Sequence, residues 1–341
     1  MAKKAKSGGG KARNIFSTLL IVVGIALLAV AGSMYFRNEQ NYREIDEANE
    51  RIAQYAKLAA DDGPPTVDWK ALKAVNPDVV GWIQVPGTVV NYPVFQSADN
   101  EYYLHHAPDR TATLGGSVFL DFECKKPGMV DRQSIVYGHH MRNGSQFKQI
   151  ADMDNQESFD GITTVWYVTE GATYELAPLF VYYTTDGDLD VRQFTFDSTK
   201  AYREYLTNYY KKAVTQRKDA EQAVKVVDHL FTLSTCNYID GYGRTLLVCV
   251  PKNEIPGTPE YEAVADVHAK HQAEKKKADK KAREELARRA EEAARAREER
   301  EYYEEYYEGE ELPEEYQEPL EEEEIPTEPA DWIPPAIPYT A

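Results

Sequence analysis

Cysteine is scarce in this chain. Its three cysteines, Cys124, Cys236 and Cys249, are too few and too odd in number for a disulfide framework, so at least one is a free thiol. Basic surface is scarce as well: Lys and Arg gather only at Lys3–Arg13 and in a mixed-sign run near Lys275–Arg300. That argues against a nucleic-acid binder, which needs a basic face to meet phosphates. Positive charge is missing altogether from residues 301–341, where fifteen acidic side chains supply most of the formal charge of −18. The rest of the chain is therefore close to balanced, which excludes a uniformly acidic fold. At 341 residues it exceeds the roughly 100–200 of one ordinary domain and reads as a medium domain with appendages, or two small domains.

Long apolar runs are also absent, with one exception. Lys3, Lys4, Lys6, Lys11 and Arg13 precede an uncharged stretch from Ile15 to Phe36, which as a helix at about 1.5 Å per residue spans a hydrocarbon core of about 30 Å. A single-pass membrane helix is expected there. The flanking positive charge places the N-terminus in the cytoplasm and everything after Phe36 outside the cell. The competing reading is a cleaved signal peptide, since Ala29-Val30-Ala31 has the small-x-small form of a cleavage site. Either reading exports the remainder.

After the apolar run, Ile45, Ile52, Tyr55 and Ala59 fall at helical spacing within 38–60, ended by Asp61-Asp62-Gly63-Pro64-Pro65, which predicts an amphipathic helix on a core. A short helix from about Asp68 carries Trp69, Leu72 and Val75 until Pro77 stops it. Eight β-rich runs follow: 79–85, 89–94, 117–120, 134–137, 164–168, 174–183, 226–233 and 245–250. Few helices separate them, so a closed or nearly closed antiparallel barrel is predicted, with one inserted helix over 199–212 carrying Tyr202, Tyr205, Leu206 and Tyr209. From about 262 to 300 the composition turns to Ala, Glu, Lys and Arg, with i,i+4 pairs and almost no apolar seam, which favours a single solvated helix over a coiled coil. The acidic Tyr- and Pro-rich segment from Glu301 cannot bury enough surface to order itself, and disorder is expected.

A free thiol in an exported protein raises the question of a Cys/His nucleophile system. Cys236 ends the run Phe231-Thr232-Leu233-Ser234-Thr235, so its thiol emerges at a strand end, and Arg244 opens the next strand after a turn rich in Gly and Asp. Cys249 lies inside an apolar strand and Cys124 in a polar loop without a base; both read as structural. Among the histidines, the pairs His105-His106 and His139-His140 remain as candidate bases. His139 stands just past a strand, while His105 and His106 belong to a predicted helix over 100–106.

Thr232-Leu233-Ser234-Thr235-Cys236 resembles the TLxTC motif of sortases, the cysteine transpeptidases that attach proteins to Gram-positive cell walls. Three further segments resemble class B sortases in particular: Gly81-Trp82-Ile83-Gln84-Val85-Pro86-Gly87-Thr88, Asp99–His106, and Tyr137-Gly138-His139-His140-Met141 followed by Asn143–Phe147. The four stand in the family's order over about residues 40–256. The resemblance implies a closed eight-stranded sortase-type β-barrel with Cys236 as nucleophile, His139 as acid and base, and Arg244 as the cation at the reacting carbonyl. His140 falls where relatives often carry another polar residue and is not assigned to catalysis. The resemblance further puts a sorting peptide in a groove formed by 100–104, the Ser234–Thr235 strand end and the segment 184–210, with Asn100 as an amide donor and Leu104 as an apolar wall.

The implied layout is a basic N-terminus (1–14), a membrane helix (15–36), N-terminal helices (37–77), a catalytic barrel (78–259), a charged helix (260–300) and an acidic tail (301–341). The implied partners are surface proteins bearing a C-terminal sorting signal, cleaved after Thr, and a lipid-linked peptidoglycan precursor whose amine accepts the acyl group. No cofactor or metal is expected. Two alternatives accompany this reading: a pilus-polymerising sortase that uses a pilin lysine, and a non-catalytic sortase-like scaffold.

Overall fold

The structure, a computed structural model, describes residues 9–185, 187–237, 243–307 and 335–339, with side chains from Phe16 onward except Asn38. Helix α1 (Gly9–Ala53) contains a stretch long and apolar enough to cross a membrane. The two helices expected from the sequence are one. No Gly or Pro interrupts the segment between Phe36 and Ala53, so nothing breaks the hydrogen-bond ladder, and the helix stops seven residues earlier than expected. There the chain turns into strand β1 (Ala56–Lys57), which pairs with β2 (Thr66–Val67). Helix α2 (Trp69–Val75) follows, its start capped by the Asp68 side chain accepting from the Ala71 N–H.

The barrel strands are β3 (Val79–Gln84), β4 (Asn91–Phe95), β5 (Phe119–Leu120), β6 (Gln133–Tyr137), β7 (Val165–Val168), β8 (Thr173–Thr185), β9 (Ala213–Gln216), β10 (Leu230–Cys236) and β11 (Gly243–Pro251). The order β11-β10-β6-β5-β4-β3-β7-β8 closes into an eight-stranded ring through the β11–β8 ladder. Strand β9, which the sequence reading passed over, pairs with β8 beyond the end of β7. The ring is not wholly antiparallel as expected: β4 pairs with β5 and β6 with β10 in parallel. Alternation divides each strand between two cores. Ile83, Tyr167, Phe231 and Leu233 fill the barrel, while Trp82, Phe95, Phe119 and Val168 point outward and receive Ile52 of α1 and Leu72 of α2.

Short helices α3 (Lys148–Ala151) and α4 (Gln156–Asp160) link β6 to β7. The long connection from β8 carries helix α5 (Thr199–Tyr210), whose Tyr202, Leu206 and Tyr209 are buried at the predicted spacing. Helix α6 (Ala220–Ala223) precedes β10, and α7 (Pro259–Ala263) follows β11.

Helix α8 (Ala265–Tyr306) has no buried residue and at about 1.5 Å per residue is roughly 60 Å long. Glu285 pairs with Arg289 and Glu291 with Arg295 along it. Its root touches the barrel region, where His268 Nε2 bonds the Asn253 carbonyl at 2.5 Å and Lys275 Nζ donates to Thr199 Oγ1 at 2.9 Å.

The disorder expected from Glu301 is corrected at both ends of that segment. At the start, α8 continues through Tyr306. At the end, Pro335–Tyr339 lies on the barrel, with Ala336 and Ile337 buried. The Tyr339 N–H donates to the Thr173 carbonyl at 2.5 Å, Asn253 Nδ2 donates to the Ile337 carbonyl at 3.0 Å, and the Tyr339 ring meets Trp166 edge-on at 5.0 Å. Residues 308–334 lie outside the described residues. Because Leu176 pairs with Pro251 and Thr185 with Gly243, this contact is at the barrel end remote from Cys236. Ile337→Asp is therefore expected to lower Tm by about 2–8 °C, from a loss of about 1–2 kcal/mol, without changing the barrel end that carries Cys236; differential scanning calorimetry beside the rate of Cys236 alkylation checks both halves.

Candidate active site

The parallel β6–β10 ladder determines what meets at the other end of the barrel. Gln133 aligns with Leu230 and Tyr137 with Ser234, so both strands run the same way and their C-terminal ends emerge together. His139 follows β6 by two residues and Cys236 ends β10. An antiparallel pairing of the two strands would have sent them to opposite ends. Arg244 arrives from β11, directly across the ladder from Cys236. The Arg244 Nη1–H donates to Cys236 Sγ at 2.8 Å. Cys236 is half-buried, while Cys124 and Cys249 are buried, and burial pushes both of those thiols up, away from the reactive thiolate form.

The segment after β6 is folded to hold His139. A Cβ on Gly138 would stand 2.6 Å from the Phe147 ring, so only glycine allows that approach. The His139 N–H donates to Gln146 Oε1 at 2.8 Å, and the Phe147 N–H donates to the His139 carbonyl at 3.0 Å. The ring is fixed from outside, with Nε2–H donating to the Leu104 carbonyl at 3.0 Å, which leaves Nδ1 as the proton-accepting nitrogen of the neutral form. Burial lowers the His139 pKa below the usual 6.5, and the positive charges of His105 and Arg244 lower it further against the opposing bond to Leu104. The His140 Nδ1–H donates to the Cys236 carbonyl at 2.6 Å. This second histidine supports the backbone of the thiol-bearing residue.

Cys236, His139 and Arg244 line one groove of about 470 Å³, together with Asn100, Leu104 and Ser234. Thr235 is not with them. On a strand its side chain points opposite to Ser234 and Cys236, and it is fully buried, with no hydrogen-bond partner for Oγ1 among the described residues. Asn100 is held at the groove by its own bonds: its Nδ2 donates to Asp121 Oδ2 at 2.9 Å and its Oδ1 accepts from the Phe122 N–H at 3.0 Å. The expected helix over 100–106 is a 3-10 turn, Tyr102–Leu104. Thr184 from the end of β8, and Asp188 and Arg192 from the segment after it, reach the groove. Sequence reasoning missed Asp121, which sits in no recognised spacing, and it named no role for Gln146 or Arg192, although both fall within segments that the resemblance had marked.

A half-buried thiol held by a guanidinium, with an imidazole at the same end of a closed eight-stranded barrel, defines a cysteine transpeptidase of the sortase type. No family model matches the chain. Curated relatives do: sortase B of Listeria monocytogenes is 29% identical over 249 residues, covering 72% of this chain and 96% of its own, and sortase B of Staphylococcus aureus is 26% identical over 234 residues, covering 67% and 92%. The crystal structure of sortase B from B. anthracis superposes with a TM-score of 0.52 at 26% identity, over 62% of this chain and 99% of that one. These relatives, together with the closed eight-stranded barrel, support a class B sortase.

Proposed function

We propose that this class B sortase is held in the membrane by α1 with its barrel outside the cell, and that it cleaves a C-terminal sorting signal after Thr and passes the protein to a peptidoglycan amine. The observation that carries the chemistry is the 2.8 Å contact between Arg244 Nη1 and Cys236 Sγ, which places a guanidinium beside the attacking sulfur and the carbonyl it would attack. Cys236 attacks the threonyl carbonyl carbon and the C–O π pair moves to oxygen, where the Arg244 guanidinium stabilises the developing charge. The intermediate collapses to a thioester as the C–N bond breaks, and protonated His139 gives its proton to the departing amine. The acceptor amine then attacks the thioester, His139 takes a proton from it, and Cys236 leaves as thiolate.

Membrane attachment suits this sequence of steps, because sorting-signal proteins and a lipid-linked wall precursor both lie at the same surface. Incubating the full-length chain in detergent with a panel of sorting-signal peptides, with and without wall-type amines, and reading products by mass spectrometry tests the reading. Cleavage after Thr with transfer to the amine supports it. Transfer only to a pilin-type lysine side chain moves the chain to pilus assembly, and no covalent product with any peptide removes the enzymatic reading.

The lowered pKa of His139 gives a signed expectation. The acid form is lost as pH rises through that pKa, so it sets the alkaline limb of kcat/KM. His105→Gln removes one of the charge interactions that lower it and should move the alkaline limb upward. A limb that stays in place or moves down in a pH–rate profile would separate His139 from the acid role.

A further inference from the structure

One buried carboxylate ties together three side chains of the groove wall that come from distant parts of the chain. Asp121, the residue after β5, is fully buried. Its Oδ2 accepts from Asn100 Nδ2 at 2.9 Å, from the Tyr137 hydroxyl at 2.8 Å and from Arg192 Nε at 2.8 Å. Its Oδ1 accepts from Arg192 Nη2 at 3.0 Å and from the Glu123 N–H at 3.0 Å. Burial alone would raise this carboxyl, but the bonds from Arg192, the Glu123 N–H and Tyr137 outweigh it and hold the group below the usual carboxylate range. Asn100, Tyr137 and Arg192 all line the groove. They belong to the loop before the 3-10 turn, the last position of β6 two residues before His139, and the 3-10 turn Leu189–Arg192 between β8 and α5. None of the five bonds reaches Cys236, His139 or Arg244.

A buried carboxylate of this kind is weak evidence for stability, because a well-packed apolar replacement is often as stable. What it provides is a fixed arrangement of its donors. The bidentate Arg192 fork in particular pins the segment between β8 and α5 to β5 on the opposite side of the groove. We propose that Asp121 is a positioning residue for transpeptidation: through Arg192, Tyr137 and Asn100 it sets the groove for the sorting peptide before the peptide arrives. The inference rests on the reading of this groove as the sorting-peptide site. Preformed walls mean that the ordering of the β8–α5 segment is completed during folding and does not weaken peptide binding. The carboxylate thus acts on peptide affinity and leaves the reactivity of the thiol to Arg244.

The test is Asp121→Asn in the full-length chain in detergent, which keeps the shape and one acceptor oxygen but removes the charge. Three quantities are measured: KM and kcat for a sorting peptide that the unaltered chain cleaves, the rate of Cys236 alkylation by iodoacetamide, and Tm. The expected result is a KM raised about tenfold or more, with kcat and the alkylation rate within about twofold. Arg192→Gln should give the same pattern, and the double variant should be no worse than the worse single one, because both break one unit. An unchanged KM, additive losses in the double variant, or kcat, alkylation rate and Tm falling together would overturn the proposal. If Asp121→Asn does not fold, Arg192→Gln, whose side chain is partly exposed, decides by the same criteria. A chain that cleaves no peptide before any substitution overturns the parent reading and this one with it, and is thereby distinguished from a failure of the positioning role alone.

Discussion

Cys236→Ala is expected to abolish both cleavage of a sorting peptide and formation of a covalent acyl-enzyme, while Cys124→Ala and Cys249→Ala retain chemistry. The three thiols differ in surroundings more than in sequence context. Cys124 and Cys249 are enclosed by apolar side chains of the barrel core, where burial disfavours the thiolate, and their removal should cost only about 1–2 kcal/mol of stability. Cys236 sits half-exposed at the end of β10 with a guanidinium on its sulfur. Intact-protein mass spectrometry after mixing with peptide reads the acyl adduct directly. A Cys236→Ala chain that still forms the adduct, or loss of the adduct in Cys124→Ala, would assign the nucleophile elsewhere.

The second large effect concerns the groups flanking the thiol. Arg244→Lys keeps a positive charge but loses the planar fork whose Nη1–H reaches Sγ, and kcat/KM should fall by about 10²–10³-fold, the range for losing a donor at a developing oxyanion. His139→Ala should fall by about 10²–10⁴-fold, the range for losing a general acid and base. His140→Ala removes a bond to the backbone carbonyl of Cys236, and losing a backbone support of this kind should cost less than about tenfold. Steady-state kinetics on the four proteins checks the order; a His140→Ala chain more damaged than His139→Ala would reverse the assignment within the pair.

Local pattern carried most of the fold. Alternation and turn residues were enough for eight strands, and the spacing of Tyr202, Leu206 and Tyr209 for α5. The pairing direction of β6 and β10 was not legible, because the residues of a buried strand read alike whether its neighbour is parallel or antiparallel. That direction is what brings His139 to Cys236, so the motifs named the pair before any physical argument joined them. Asp121 was silent for a different reason: a carboxylate that collects donors from residues 100, 137 and 192 has no local spacing to betray it. Thr235 was misplaced by treating a strand end as a single surface, although period two already separates it from Ser234 and Cys236. Pro335–Tyr339 was hidden by composition, since a short apolar stretch after an acidic segment averages out as unstructured.

The unbroken course of α1 has a rotational meaning. Its side chains Ile45 and Ile52 are buried against the folded part, and Asp46 accepts from Asn143 in the loop that carries His139, so the barrel is keyed to one azimuth of the helix. Nine residues further back, at Phe36, the apolar stretch begins to run toward the N-terminus, about 14 Å away along the axis. In the proposed anchored state the helix is thus a shaft, and each residue added between Phe36 and Ile45 turns the groove by about 100° around it while advancing it only about 1.5 Å. Adding a single residue would swing the thiol to another heading with almost no change of height; adding four would bring it back to within about 40° of the original.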